Sequence, residues 1–207
     1  MDDGWAPDYV TLPEAREYVT RHSSTVDDTF LALDITAASR AVDRTTSRQF
    51  GFVTVPAQRF YTPYWDRRRV RWIVEFDDLQ TTAGFDPQLQ DVNGVNLGAI
   101  DDYVLEPRNA VAKGRPWERM VIRPTSTYVP TGLVDQAAFT ASWGWTTVPA
   151  PVKEATLMQA SRFTARRNSP YGIAGSPDEG SEMRLLARLD PDVAVVVGSY
   201  RRWWAAA

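Results

Sequence analysis

The segment PAPVKEATLMQASRFTARRNSPYGIAG, residues 149–175, decides the fold. Pro149 and Pro151 suit a first helical turn, where the N–H that proline lacks would have no partner anyway. Val152 to Arg167 contains neither Gly nor Pro, and Asn168-Ser-Pro-Tyr-Gly172 then stops the helix and opens a loop. At about 100° per residue, Val152, Thr156, Ala160 and Phe163 share an arc of roughly 80° and face a bundle interior. Met158 and Ala165 fall on nearly the opposite side. A helix with small and apolar residues on two sides sits in the middle of a bundle or faces a neighbouring subunit.

Working outward, Thr11-Leu-Pro-Glu14 has the form of a capping box and predicts a short helix to about Arg21. Its apolar side is Leu12, Ala15, Tyr18 and Val19. A longer helix is expected from about Asp27 to Ser47. Phe30, Leu31, Ile35, Ala37, Ala38, Ala41 and Val42 form its apolar face, with Thr29, Arg40 and Asp43 opposite. Asp34 falls inside the apolar arc, where an unpaired carboxylate would be costly. It reads either as a structural ion pair to an arginine of another helix or as a catalytic acid. Beyond residue 175, a loop runs to Gly180 and a short helical stretch is expected from Glu182 to Leu189. Asp190-Pro191-Asp192 supplies a cap, a proline at the first position and an acid for the helix dipole. Leu189, Val193, Val196, Val197 and Tyr200 are spaced for a helix face, although the valine run equally suits a strand.

At Phe50 the period changes. Phe50-Gly-Phe-Val-Thr-Val55 reads as strand, and Val70, Trp72, Val74 and Phe76 alternate with Arg69, Arg71, Ile73 and Glu75. Gln90 to Leu97 centres on Asn93-Gly94, a hairpin signal. Tyr103-Val-Leu105, Trp117 to Ile122 and Phe139 to Trp145 are further strands. The expected fold class is therefore α+β. A bundle of about four helices, residues 1–48 and 149–207, carries an inserted antiparallel β unit of six or seven short strands at about 50–148.

Composition narrows the chemistry. The 207 residues are 43% hydrophobic and 24% charged, with a net charge of −3, which gives no global basic signal for nucleic acid. No run approaches the roughly 18 apolar residues of a membrane span. The amino terminus lacks the pattern of a signal peptide, which points to a protein made in the cytoplasm. With no cysteine and one histidine, His22, there is no thiol nucleophile and no zinc set. His22, at a helix end, reads as a dipole partner. No P-loop, dinucleotide fingerprint or nucleophile elbow occurs. Asp91-Val-Asn-Gly-Val-Asn96 is a hairpin turn rather than a calcium loop, since its sixth position is not Gly. The expectation is no enzyme, no cofactor and no metal. Arg67, Arg68, Arg69 and Arg71 between Trp65 and Trp72 form an exposed row that suits an acidic partner, nucleic acid or solvent.

Three stretches together resemble one family. They are Tyr9 to Val19, opening Tyr-Val-Thr-Leu-Pro-Glu-Ala-Arg; Ala37-Ala-Ser-Arg-Ala-Val-Asp-Arg44 ending in Arg48-Gln-Phe-Gly51; and Val148-Pro-Ala-Pro-Val-Lys-Glu-Ala155 through Ala165-Arg-Arg-Asn-Ser-Pro-Tyr-Gly-Ile-Ala-Gly175, Leu189-Asp-Pro-Asp-Val193 and Tyr200-Arg-Arg202. The set is similar to the head-to-tail adaptor (connector) proteins of long-tailed bacteriophages, particularly those of actinobacteria. It covers the helical parts, roughly half the chain, and the β segment takes no role from it. The resemblance implies a structural virion protein at the neck: a ring, usually a dodecamer, under the portal. It implies contacts to the portal and to a stopper or tail-completion protein, with DNA in the channel, no membrane, no enzymatic activity and no cofactor.

For such a protein, Met158 and Ala165 are expected at a subunit contact, and Arg166, Arg167 and Tyr171 at the assembly surface that finishes the helix. Tyr200, Arg201, Arg202, Trp203 and Trp204 form a portal-docking tail, or fold back on the bundle. Two other functions stay open. The Trp-rich β unit suits a module that binds a glycan or another virion protein, and Asp34 suits a carboxylate hydrolase.

Overall fold

The computed structural model describes residues 5–20, 27–167, 173–174, 183–184 and 190–202. The chain divides into two compact units, Met1–Ala6 with Gly51–Thr147, and Pro7–Phe50 with Val148–Ala207.

The first unit is all-β apart from one short 3-10 turn. Its strands are β1 (Ala57–Tyr61), β2 (Tyr64–Asp66), β3 (Arg71–Leu79), β4 (Asp86–Gln90), β5 (Asn96–Ala99), β6 (Tyr103–Glu106), β7 (Trp117–Ile122) and β8 (Ala137–Ala141). They form two antiparallel four-stranded sheets, ordered β1-β8-β4-β5 and β2-β3-β7-β6. The chain changes sheet four times, between β1 and β2, β3 and β4, β5 and β6, and β7 and β8. One core is shared by both sheets: Val74, Phe76 and Leu79 of β3 and Met120 and Ile122 of β7 bury with Leu89, Ala137 and Phe139, around Trp143. Phe76, Phe139 and Trp143 are fully buried. Each contributes on the order of 2–3 kcal/mol by leaving water, and their rings meet at tilted or edge-to-face angles.

The second unit holds α1 (Leu12–Thr20), α2 (Asp28–Thr46), α3 (Ala150–Arg167) and α4 (Pro191–Gly198), with a two-stranded pair of β9 (Ile173–Ala174) and β10 (Met183–Arg184). Local chemistry sets the helix ends. Thr11 N–H and Oγ1 both donate to Glu14, and the Glu14 N–H returns to Thr11 Oγ1, closing the capping box. Asp27 accepts from the N–H groups of Thr29 and Phe30, and Asp190 from that of Asp192. Leu31, Ile35 and Ala38 of α2 pack with Ala15, Val19 and Ala160, so the apolar stripes of three helices close on one another. Among the described residues, no helix is long and apolar enough to cross a membrane.

Several expectations are overturned. The protein is not a helical bundle carrying an inserted β unit; it is a sheet-rich α+β chain, with four α-helices and two four-stranded sheets among the described residues. The larger aromatic core lies between the sheets, and short strands broken by Gly and Pro understated it. The Phe50–Val55 strand does not form: Phe50 is buried in the helical unit and Phe52 makes a single bridge to Gly144. β1 and β2 replace it as the first strands. Of the expected helix from Glu182 to Leu189, Met183–Arg184 forms β10, and the other positions lie outside the described residues. On α2, Asp43 is buried rather than exposed, whereas Phe30 and Ala37 are exposed.

Candidate functional site

The helical unit places the three stretches Tyr9–Val19, Ala37–Gly51 and Val148–Arg202 in direct contact. Tyr9, from the first, donates its hydroxyl to Asp43, from the second. The same hydroxyl accepts the Phe50 N–H at 2.9 Å, and the Tyr9 N–H donates to Ser39 Oγ. Arg40 completes the cluster, with Nε 2.7 Å from Asp43 and its guanidinium 5.7 Å from the centre of the Tyr9 ring. Burial and the neighbouring Asp43 carboxylate raise the Tyr9 hydroxyl far above its ordinary range, so it stays a donor. Burial also pushes the Asp43 carboxyl up, against the opposing pull of Tyr9 and Arg40. Arg48, from the second stretch, donates through Nε to the carbonyl of Tyr200, from the third. The Tyr200 ring meets Phe50 edge to face, and the Arg202 N–H donates to the Thr46 carbonyl at 2.8 Å.

Asp34 lies 3% exposed on α2. Arg167, in the last turn of α3, reaches it with both terminal nitrogens, at 3.0 Å and 2.5 Å, and Thr164 adds a hydroxyl at 2.8 Å. The carboxylate is thus held by three donors, an arrangement that serves as a tie between helices. The Arg167 guanidinium also stands 4.9 Å over the ring of Phe30.

That stacking marks a surface. Phe30 is 49% and Leu33 is 59% exposed, and Ala37 is exposed beside them. Spaced i, i+3 and i+7, they form a second apolar stripe on α2 that stays largely in water, with Arg167 over its Phe30 end. Arg166 is exposed at the adjoining end of α3. The stripe is what sequence reasoning missed. Helical spacing alone puts Phe30 and Ala37 on the core face, whereas the fold leaves both in water beside Leu33.

The two residues expected at a subunit contact on α3 differ in exposure. Ala165 is exposed, but Met158 is half-buried within its own unit, because Val152, Ala155, Thr156, Gln159 and Ala160 bury a wide arc that extends toward it. Arg201 is exposed, Tyr200 is half-buried and Arg202 is buried. Tyr171, Trp203, Trp204 and His22 lie outside the described residues.

The chain matches no known family model and no curated protein. Several carboxylates of the β unit are engaged in hydrogen bonds of the fold. Asp91 accepts from the N–H groups of Asn93 and Val95 and closes the β4–β5 hairpin. Asp78 takes the indole N–H of Trp145 at 2.8 Å, and Asp77 takes Arg59 and Tyr61. Among the described residues, no group of three or more acidic or histidine side chains is placed to hold a metal ion.

Proposed function

We propose that the protein is a structural head-to-tail adaptor of a long-tailed bacteriophage. It assembles as a ring at the neck, binds the portal on one side and a stopper or tail-completion protein on the other, and lets DNA pass through its channel without turning over a substrate. The observation that carries this reading is the exposed Phe30–Leu33–Ala37 stripe, with Arg167 over Phe30, on the same unit that the three adaptor-like stretches build. A ring needs two different faces per subunit. The stripe in water supplies one of them, and a row of three apolar side chains edged by arginine has the composition of an interface.

The test uses tailless, DNA-filled heads made without this protein. Adding the purified chain should restore joining to tails, and Leu33→Glu should abolish it while leaving the thermal melt of the protein intact. Heads that join tails without the chain would sink the proposal.

One observation favours a second reading, a glycan-binding β unit. On the outer face of the β1-β8-β4-β5 sheet, an open recess of about 440 Å³ lies among Gln58, Phe60, Gln88, Gln90, Asn96 and Asp135. Phe60 and Gln88 both stand opposite Ala138 in register, so an exposed ring and an amide flank a small floor. That pairing suits a sugar ring, with apolar stacking on one side and hydroxyl bonding on the other. A glycan array probed with the full chain, with Phe60→Ala as control, decides it: silence leaves the adaptor reading alone.

A further inference from the structure

The β unit has a second surface to which neither reading gives a role. An open groove of about 200 Å³ is lined by Trp65, Val70, Trp72, Ile122, Pro124 and Val129. Its walls are almost wholly apolar, yet Trp65 is 44%, Val70 62% and Val129 45% exposed. Trp65 faces Trp72 in the β2–β3 register, and the rings meet edge to face with centroids 5.4 Å apart. Val70 has φ +53°, a conformation that a β-branched residue adopts only against strain. The Asp66 carboxylate enforces the turn by accepting from the N–H groups of Arg68 and Arg69. The backbone is thus built to leave a valine in water beside two indoles.

The groove is edged by cations. Arg69 is held by Asp66 and Glu106, and Arg123 by Asp102. Arg67, Arg68 and Arg71 are exposed, and among the described residues none has an acidic partner. The chain carries a net charge of −3, so this basic cluster is local.

We propose that the groove docks a segment of a partner protein bearing one large apolar side chain flanked by carboxylates. The volume falls below the roughly 300–1,000 Å³ of small-molecule sites and suits a single side chain. Tryptophan and arginine around an apolar pocket are the residues that dominate protein interfaces, and three exposed arginines set the sign of what approaches. Nucleic acid fits less well. Stacked bases need successive parallel platforms, whereas Trp65 and Trp72 turn an edge to a face.

The full-length chain is titrated, by fluorescence anisotropy, with a labelled acidic peptide carrying one central leucine. Controls are the same peptide with central alanine, a version with lysine in place of every acid, and an oligothymidylate of equal length. The leucine peptide should bind at least about tenfold more tightly than each control. Trp65→Ala, and separately the double variant Arg67→Glu, Arg71→Glu, should each reduce its binding by about tenfold or more. Both arginines are exposed, so that variant keeps the test open if Trp65→Ala does not fold. The proposal is overturned by equal binding of the alanine peptide, by tighter binding of oligothymidylate, or by no binding at about 1 mM peptide. Self-association of the chain that Trp65→Ala abolishes also overturns it, since the occupant is then a second copy.

Discussion

Arg48 donates its Nε hydrogen to the backbone carbonyl of Tyr200, joining two residues 152 positions apart in the chain. The bond fastens the end of α2 to the segment that follows α4. It lies where the αL residue Ser47 caps α2 and turns the chain outward. Arg48 is 4% exposed, and the Thr46–Arg202 bond lies two residues away on each strand of the chain. The position of the Tyr200-Arg-Arg202 segment is therefore set by an internal tie.

Arg48→Met tests that tie. Methionine keeps most of the apolar stem and removes the charged donor, leaving the Tyr200 carbonyl without it. The expected cost is about 1.5–3 kcal/mol, the range for hydrogen bonds from charged groups, read by urea denaturation. Hydrogen exchange should rise at the Arg202 amide before it rises in α2. Unchanged protection at Arg202 would show that the segment is held by something else.

The Asp34–Arg167 pair makes an unequal prediction. Arg167 is 36% exposed at its side chain and Asp34 is 5%. Losing the carboxylate leaves an arginine that water can solvate, whereas losing the arginine leaves a buried carboxylate with only Thr164. Arg167→Met should therefore cost about 2–4 kcal/mol and Asp34→Asn distinctly less. Equal costs in chemical denaturation would contradict the tie as described.

How much of this was legible depended on whether a residue's partners were near in sequence. Thr11 with Glu14, Asp27 with Thr29, and Asp190 with Asp192 are local bonds, and the sequence alone places those three helix starts within a residue. Asn93-Gly94 likewise marks the β4–β5 hairpin, because the turn is made of its own residues. Asp43 was misjudged because its neighbours on α2 are polar while its partner, Tyr9, comes from 34 residues away. Val70 fits the alternation of β3 by spacing, but the Asp66 turn throws it out of the strand into water. The Phe30–Leu33–Ala37 stripe has helical spacing, yet spacing cannot say which of two stripes the fold covers. The pairings β1–β8, β4–β8 and β3–β7 join strands that are not consecutive, so no local pattern gives the full order of either sheet.

Gly144 is a position where substitution should be severe. Its φ is +107°, and a Cβ there would stand 2.0 Å from the Gly51 carbonyl oxygen. Both neighbours are backbone: Gly144 bridges Phe52 and Leu79, and its N–H donates to the Asp78 carbonyl at 2.6 Å. Nothing flexible can yield, so Gly144→Ala should cost about 3 kcal/mol or more, through both strain and clash. Thermal unfolding measures it, and a loss under about 1 kcal/mol would mean that the bridge is not formed as described.

Asp101 makes stability depend on pH in a defined direction. Its carboxylate accepts the hydroxyl of Thr127 at 2.5 Å, the Thr127 N–H at 2.8 Å and the hydroxyl of Ser126 at 3.0 Å. These bonds, the Thr127 hydroxyl first, lower its pKa from 3.8 to about 2. Between those values the unfolded chain binds more protons than the folded one, so acid favours unfolding. The contribution is complete above about pH 5 and is lost as pH falls through about 2. Asp43 works the other way: burial raises its pKa, so its contribution falls as pH rises from its unfolded pKa to its folded one. Comparing the intact chain with Asp101→Asn cancels Asp43 and every other shared group. The stability difference between the two should be flat from about pH 8 to about pH 5 and should shrink steadily below that. A difference that does not change down to about pH 2 would show that the 101–127 bonds do not hold an ionised carboxylate.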